Sequence, residues 1–251
     1  MKEKLLLALF GMLLWLPGWA QFGLNDSSAV LFPLNVGYSF QSPFGDMGNR
    51  FGTNHSISFG PAVKLRSNYT FGLQGAFLVS SNVEETGLLR NVIDDEGQIL
   101  NTEGDPATVL IQQRGYTIMA YAGRIINTVG RNPNSGIMLR LGGGYMRHKI
   151  RIETQNDVVP QLEGDNLEGY DRLAGGPAAY FYLGYRHFSN SRLVNFHGGF
   201  EIIQGFTEPL RAFNFDTGRA ETGTRRDGLI GFRVAWTIPI YRDKPEKVFF
   251  Y

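Results

Sequence analysis

The segment FPLNVGYSFQ, Phe32–Gln41, alternates in polarity along its length. Phe32, Leu34, Val36, Tyr38 and Phe40 fall on one face, and Asn35, Gly37, Ser39 and Gln41 on the other. Successive strand side chains point to opposite faces, so the run predicts a β-strand with one apolar and one polar face. The same period recurs near 55–66, 70–80, 115–126, 137–148, 178–188, 194–205 and 229–241, giving eight candidate strands. In the last of these, Ile230, Phe232, Val234, Trp236, Ile238 and Ile240 oppose Gly231, Arg233, Ala235 and Thr237. The run at 115–126 is the weak member, because apolar residues occupy both of its faces.

Connector lengths decide how the strands are joined. Ser67–Tyr69, Asn127–Gly136 and Ser189–Leu193 are short, and they alternate with four longer connectors. The longer ones run roughly 10 to 35 residues, well beyond ordinary hairpin loops. An even strand number with short turns at one end and long loops at the other predicts an all-β, eight-stranded, antiparallel up-and-down transmembrane β-barrel. A soluble barrel turns its apolar face inward, whereas a membrane barrel turns it to lipid. The polar face distinguishes them: Gly, Ser, Ala and Asn with occasional Arg suit a narrow interior filled by side chains. Aromatic residues near strand ends (Phe32, Tyr38, Phe40, Tyr116, Tyr145, Tyr185, Phe206, Trp236) fit interfacial girdles. This architecture puts the short turns in the periplasm and the long loops outside.

The N-terminus agrees with export. Lys2 and Lys4 precede the apolar stretch Leu5–Leu16, and Pro17-Gly18-Trp19-Ala20 supplies a break and small residues for cleavage before Gln21. Residues 1–20 are therefore expected to be a signal peptide, 21–241 the barrel and 242–251 a short periplasmic tail. No later run reaches the roughly 18 apolar residues of a membrane helix. The chain has no cysteine, which removes lipoprotein acylation, disulfides and thiol chemistry together. A formal net charge of +1 gives no electrostatic case for nucleic acid. Mean hydropathy of −0.16 alongside 32 glycines suits strands that are only half apolar and loops that are wet.

Parity puts Lys64, Arg140, Arg186, Arg233 and Arg124 in the lumen with one acid, Glu201. A charge without a partner in a packed interior is costly, so Glu201 is expected to pair with one or more of these arginines as a lumen ion-pair network. The basic excess also admits an alternative, a narrow anion-favouring channel. The long loops at 83–113 and 150–176 are acid-rich, but no spacing matches a calcium loop. Within them Val92, Ile93, Ile99, Leu100, Val109, Leu110 and Ile111 suggest either strands continuing beyond the membrane or a partner-binding edge. His55, His148 and His197 lie on different strands with no local cluster for a metal, and no cofactor motif is present.

His187-Phe188-Ser189-Asn190, with Glu201 downstream, resembles the His-x-Ser-Asn and later Glu of the outer-membrane lipid A deacylases, which are also eight-stranded barrels. The resemblance implies a nucleophile at Ser189, a base at His187 and an orienting carboxylate at Glu201. Position argues against it. The motif sits in the sixth-to-seventh turn, and parity turns His187 to lipid while Glu201 faces the lumen.

A broader resemblance covers residues 115–251. Asn132-Pro133-Asn134-Ser135-Gly136, Leu139–Tyr145, His148–Ile152, Gly169–Leu173, Gln204–Thr207, Asn214–Thr217 and the closing Arg226–Tyr241 are similar to a family of small outer-membrane β-barrel proteins of Bacteroidetes. That resemblance implies an outer-membrane barrel without catalytic residues and an accessory link to type IX secretion. Asp171, Arg172, Asp216, Arg219, Arg225, Arg226 and Asp227 are expected to form a charged cap over the outer mouth. Taken together, the sequence reads as a non-enzymatic structural or interaction protein of the cell envelope. Its expected partners are outer-membrane lipid, lipopolysaccharide and other envelope or secretion proteins.

Overall fold

A computed structural model of the chain describes residues 28–127, 132–155, 158–189 and 194–241. The expected signal peptide (1–20) and tail (242–251) lie outside the described residues, as do parts of two short turns. Eight strands follow in order: β1 (Leu31–Gly45), β2 (Asn54–Lys64), β3 (Tyr69–Ser80), β4 (Val109–Ile126), β5 (Gly136–Thr154), β6 (Ala174–His187), β7 (Phe196–Pro209) and β8 (Arg225–Tyr241). Each pairs antiparallel with its sequence neighbour, and β1 pairs with β8 from Leu31↔Tyr241 to Gly45↔Asp227, which closes the barrel. Closure leaves no unpaired strand edge.

The faces follow the sequence period. Asn35, Ser39, Gln41, Ser56, Ser58, Gln74, Thr117 and Thr237 are buried inside, while Ile57, Phe59, Leu73, Phe77, Phe200 and Phe232 are exposed outside. Phe77 is 72% exposed and Ile57 62%, values that no soluble core position tolerates across a whole sheet. In β4 the inward set is Met119, Tyr121 and Ile125, with Ile118 and Ile126 outside. Arg124, expected in the lumen, is instead outside near the turn, its guanidinium 5.2 Å from the Tyr69 ring. With apolar residues on both faces of β4, the sequence carried no contrast to set its parity.

At the long-loop end the strands run past the predicted limits. Val109–Ile111 pair with Ile152–Thr154, so the apolar loop residues extend the β4–β5 ladder. Leu78, Leu88, Leu89, Ile150, Ile152, Val159, Leu162 and Tyr170 continue the buried cluster of the lumen upward into the loops. The barrel is therefore plugged from its middle to its outer mouth by packed side chains.

Gly37 shows how tight the interior is. A Cβ there would lie 2.8 Å from Ser58 Oγ, 3.0 Å from Ala235 Cβ and 3.1 Å from Arg233 Nη2. Gly37→Val is expected to lower stability by about 1–3 kcal/mol through overpacking. Urea unfolding in detergent micelles measures this, and an unchanged midpoint would contradict a filled lumen.

Candidate functional site

Three tiers of polar residues occupy the interior. At the short-turn end, Lys64 Nζ donates to Asn134 Oδ1 (2.8 Å), Ser28 Oγ (3.1 Å) and the carbonyls of Ala29 and Leu65. Arg186 donates to Asn35 Oδ1 and Thr237 Oγ1, both at 3.3 Å, with its guanidinium 4.6 Å from the Phe188 ring. Both cations are thus met by neutral acceptors.

Among the described residues, the middle tier holds the one lumenal carboxylate of the lower barrel. Adjacent strands β7 and β8 put Glu201 and Arg233 on the inner face two register steps apart, and Arg233 Nη1 reaches Glu201 Oε2 at 2.9 Å. Gln41 Nε2 donates to Glu201 Oε1 at 2.9 Å, and Arg233 Nη2 also donates to Ser58 Oγ. Arg140 takes no part in this pair. Its guanidinium lies between two rings, 4.5 Å from Tyr121 and 5.3 Å from Tyr182, so the ring faces partly offset its charge.

The upper tier was not legible in the sequence. His148 Nε2 and Asp227 Oδ2 are 2.8 Å apart, Thr207 Oγ1 donates to the same carboxylate oxygen, and Phe51 packs edge-on against the imidazole. Asp227, expected in the loop cap, is fully buried here. The reason is that β8 begins at Arg225, four residues earlier than the polarity pattern indicated, so Asp227 is an inward strand residue.

Above the strands, a charge network ties all four long loops together. Arg172 Nη2 donates to Asp216 Oδ2 at 2.5 Å, Arg172 Nε forms an ion pair with Glu85 Oε1 at 3.4 Å, and Glu85 Oε2 in turn meets Arg50 Nε at 2.6 Å. Arg211 grips Asp171 with two hydrogen bonds, 3.0 and 2.7 Å, and Glu168 at 2.6 Å. The paired carboxylate of Asp171 holds Arg211 above its ordinary arginine value. Arg225 pairs with Glu221. Arg219 and Arg226 keep exposed side chains and contribute backbone groups, Arg219 O to Asn214 N and Arg226 N to Asp46 Oδ2. Arg172 adopts φ 49°, an uncommon left-handed value for a non-glycine residue that costs on the order of 1–3 kcal/mol. The buried bond to Asp216 offsets it.

The three groups of the deacylase-like motif are not brought together. His187 packs outside at a tilt against Phe196 (5.1 Å between ring centres), and the Ser189 N–H donates to Asn195 Oδ1 at the turn. Glu201 is inside, engaged by Gln41 and Arg233. The barrel wall separates base from carboxylate. Among the described residues no group of three or more His, Asp or Glu side chains is placed to hold a metal.

The outer wall carries a second feature. Cross-strand register aligns Phe77, Tyr116 and Arg147 in one row, and Val79, Arg114 and Lys149 in the row above. With Arg211 these residues border a groove of about 330 Å³ whose floor is apolar and whose rim is basic.

Comparison with protein-family models and with curated proteins returned no match. Among solved structures, the chain is similar to Ail, the attachment invasion locus protein of Yersinia pestis, at 8% identity over 83% of this chain and 99% of that one, with a TM-score of 0.41. The same protein in complex with the heparin analogue sucrose octasulfate gives 9% identity, the same coverage and a TM-score of 0.38. Neisserial surface protein A gives 11% identity over 81% of this chain and 95% of that one, with a TM-score of 0.41.

Removing one partner of the middle tier leaves a buried charge unpaired. Glu201→Gln is expected to cost about 3–5 kcal/mol, and Glu201→Gln with Arg233→Met to recover most of it. Chemical unfolding of the four forms of the cycle checks this. Equal destabilisation by the single and double changes would contradict the pairing.

Proposed function

We propose that this protein is a non-enzymatic outer-membrane barrel whose working surface is its outer face, where a basic rim binds the phosphates of lipopolysaccharide. The carrying observation is the abrupt change along β3–β5. Rows of Gly75, Ile118 and Tyr145, then Phe77, Tyr116 and Arg147, give way to Val79, Arg114 and Lys149. Adjacent rows on one face are two residues apart, about 7 Å along a strand. Apolar side chains thus yield to clustered cations over the distance at which a bilayer passes from acyl chains to headgroups. Arginine and lysine together suit phosphate, the first by its planar fork and the second as a point charge.

The other features support this reading. The apolar belt of Leu73, Phe77, Ile118, Leu141, Phe200 and Phe232 suits lipid on every side. The signal-like residues 1–20 suit export across the inner membrane. The lumen is filled by Met119, Tyr121, Met138, Arg140, Tyr180 and Tyr182, all buried, which speaks against solute passage. The separation of His187 from Glu201 speaks against hydrolysis of lipid A.

A second surface favours a protein partner. Ile93, Leu100, Val158, Leu210, Phe213 and Phe215 are exposed on the long loops, which the ion pairs of Arg172 with Glu85 and Asp216 join to one another. A secretion or envelope component docking on this barrel would meet these residues.

Charge reversal tests the lipid surface. Arg114→Glu with Lys149→Glu is expected to weaken binding of the detergent-solubilised barrel to lipopolysaccharide at least tenfold at low salt, and to flatten its salt dependence. Heat-modifiable mobility should remain, since both side chains point outward. Unchanged lipopolysaccharide binding by the folded double variant would contradict the reading.

A further inference from the structure

The outward face of β4 reads Arg114, Tyr116, Ile118, Ala120, Ala122, Arg124. Two arginines thus bracket four uncharged positions on a single strand. From one arginine to the other the strand advances about 33 Å. At the tilt of a membrane barrel this becomes roughly 25 Å of height, the thickness of the apolar band that such barrels carry. Arg114 lies at the long-loop edge of the belt, in one row with Val79 and Lys149. Arg124 therefore stands at the opposite edge, where the headgroups of the other leaflet begin.

Its surroundings are apolar. Phe71, Ala122 and Leu141 form the row on the belt side of Arg124, and Ile126 pairs with Ile137 in the row on the turn side. Phe71, Leu141, Ile126 and Ile137 are all exposed on the wall. The guanidinium lies 5.2 Å from the ring of Tyr69, its cross-strand neighbour, so the ring face orients it without supplying a formal negative charge. A cation among lipid-facing side chains is costly unless a counter-charge answers it.

The short-turn end of the protein offers none. Among its described residues, 28–36, 60–74, 118–127, 132–144, 179–189, 194–200 and 232–241, there is no Asp or Glu. Arg66, exposed in the turn between β2 and β3, adds a second positive charge. The long-loop rim differs, since Lys149 and Arg211 share the carboxylate of Asp171 there. At the short-turn edge the bilayer is the remaining source of negative charge, and a lipid phosphate suits the planar fork of an arginine. A zwitterionic headgroup would also bring an amine for which this end has no described carboxylate. A headgroup of net negative charge fits better.

We infer that Arg124, oriented by Tyr69, binds the phosphate of an anionic phospholipid in the leaflet nearest the short turns, with the acyl chains lying along Phe71 and Leu141. The site rests on the wall facing lipid and is independent of lipopolysaccharide binding at the other rim.

Native mass spectrometry of the full barrel in mild detergent tests this, with phosphatidylglycerol and phosphatidylcholine of matched chains titrated separately. The first phosphatidylglycerol is expected to bind roughly fivefold more tightly, the worth of one basic residue at an anionic membrane surface. Arg124→Gln should remove most of that preference. Arg124→Lys, which keeps the charge and loses the fork, should retain part of it. Arg114→Glu with Lys149→Glu should leave it intact, which separates this site from the lipopolysaccharide rim. Equal affinity of the wild type for the two lipids overturns the inference and needs no variant. A preference unchanged in Arg124→Gln that keeps heat-modifiable mobility overturns it as well. So does displacement of the bound lipid by an equal concentration of glycerol 3-phosphate, which would mark a site for free phosphate.

Discussion

An eight-stranded barrel closes around an interior too narrow for bulk water, and the rest of this structure follows from that constraint. Every inward side chain must be packed by another, and an inward charge left without a partner is costly. Glycine at Gly37 and Gly72, and small residues at Ser58 and Ala62, make room for the large side chains opposite them; a Cβ on Gly72 would run into the Tyr121 ring. Glu201 and Arg233 meet directly, Lys64 and Arg186 are held by neutral oxygens, and Arg140 is sandwiched by tyrosines. The interior is thus a small polar core in which basic residues predominate.

The same narrowness explains the division of labour between inside and outside. A lumen so filled leaves the wall and the mouth as the surfaces available for interaction. At the mouth the strands continue beyond the belt, and an apolar cluster built around Leu88, Leu89, Ile152, Leu162 and Tyr170 buries the undersides of the loops. Arg172 then ties loops distant in sequence through Glu85 and Asp216, at the cost of a left-handed backbone. Ion pairs at an exposed surface contribute little, but those of Arg172 and Asp216 are largely buried and part of a network, so they fix loop geometry. On the wall, the groove formed by Phe77, Tyr116, Arg114 and Lys149 joins an apolar floor to cationic edges.

Much of this was legible from residue period alone, and the exceptions have physical causes. Alternation in Phe32–Gln41 and 230–240 shows which side chains face inward, because Asn, Gly, Ser, Gln, Arg, Ala and Thr oppose Phe, Leu, Val, Tyr, Trp and Ile along most of each run. Glu201 and Arg233 stand on alternating strands, so their shared face can be read from residue period alone. Arg124 could not be read in this way, since β4 puts Met119, Tyr121 and Ile125 inside and Ile118 and Ile126 outside. A lumen that accepts methionine and tyrosine erases the contrast on which parity depends. Asp227 was masked by its neighbours Arg225 and Arg226, whose polarity resembles a loop although β8 has already begun. The contacts of His148 with Asp227, and of Arg172 with Glu85, join residues far apart in sequence and leave no local signature.

The central claim is that the barrel is closed and acts through its surface. Single-channel recording of the purified, refolded protein in planar bilayers tests it most directly. The account predicts no unitary conductance steps in molar potassium chloride across ordinary holding potentials, although insertion is verified independently by heat-modifiable mobility. Reproducible steps with anion selectivity would contradict it, and would mean that the arginines of the lumen line a path rather than fill one.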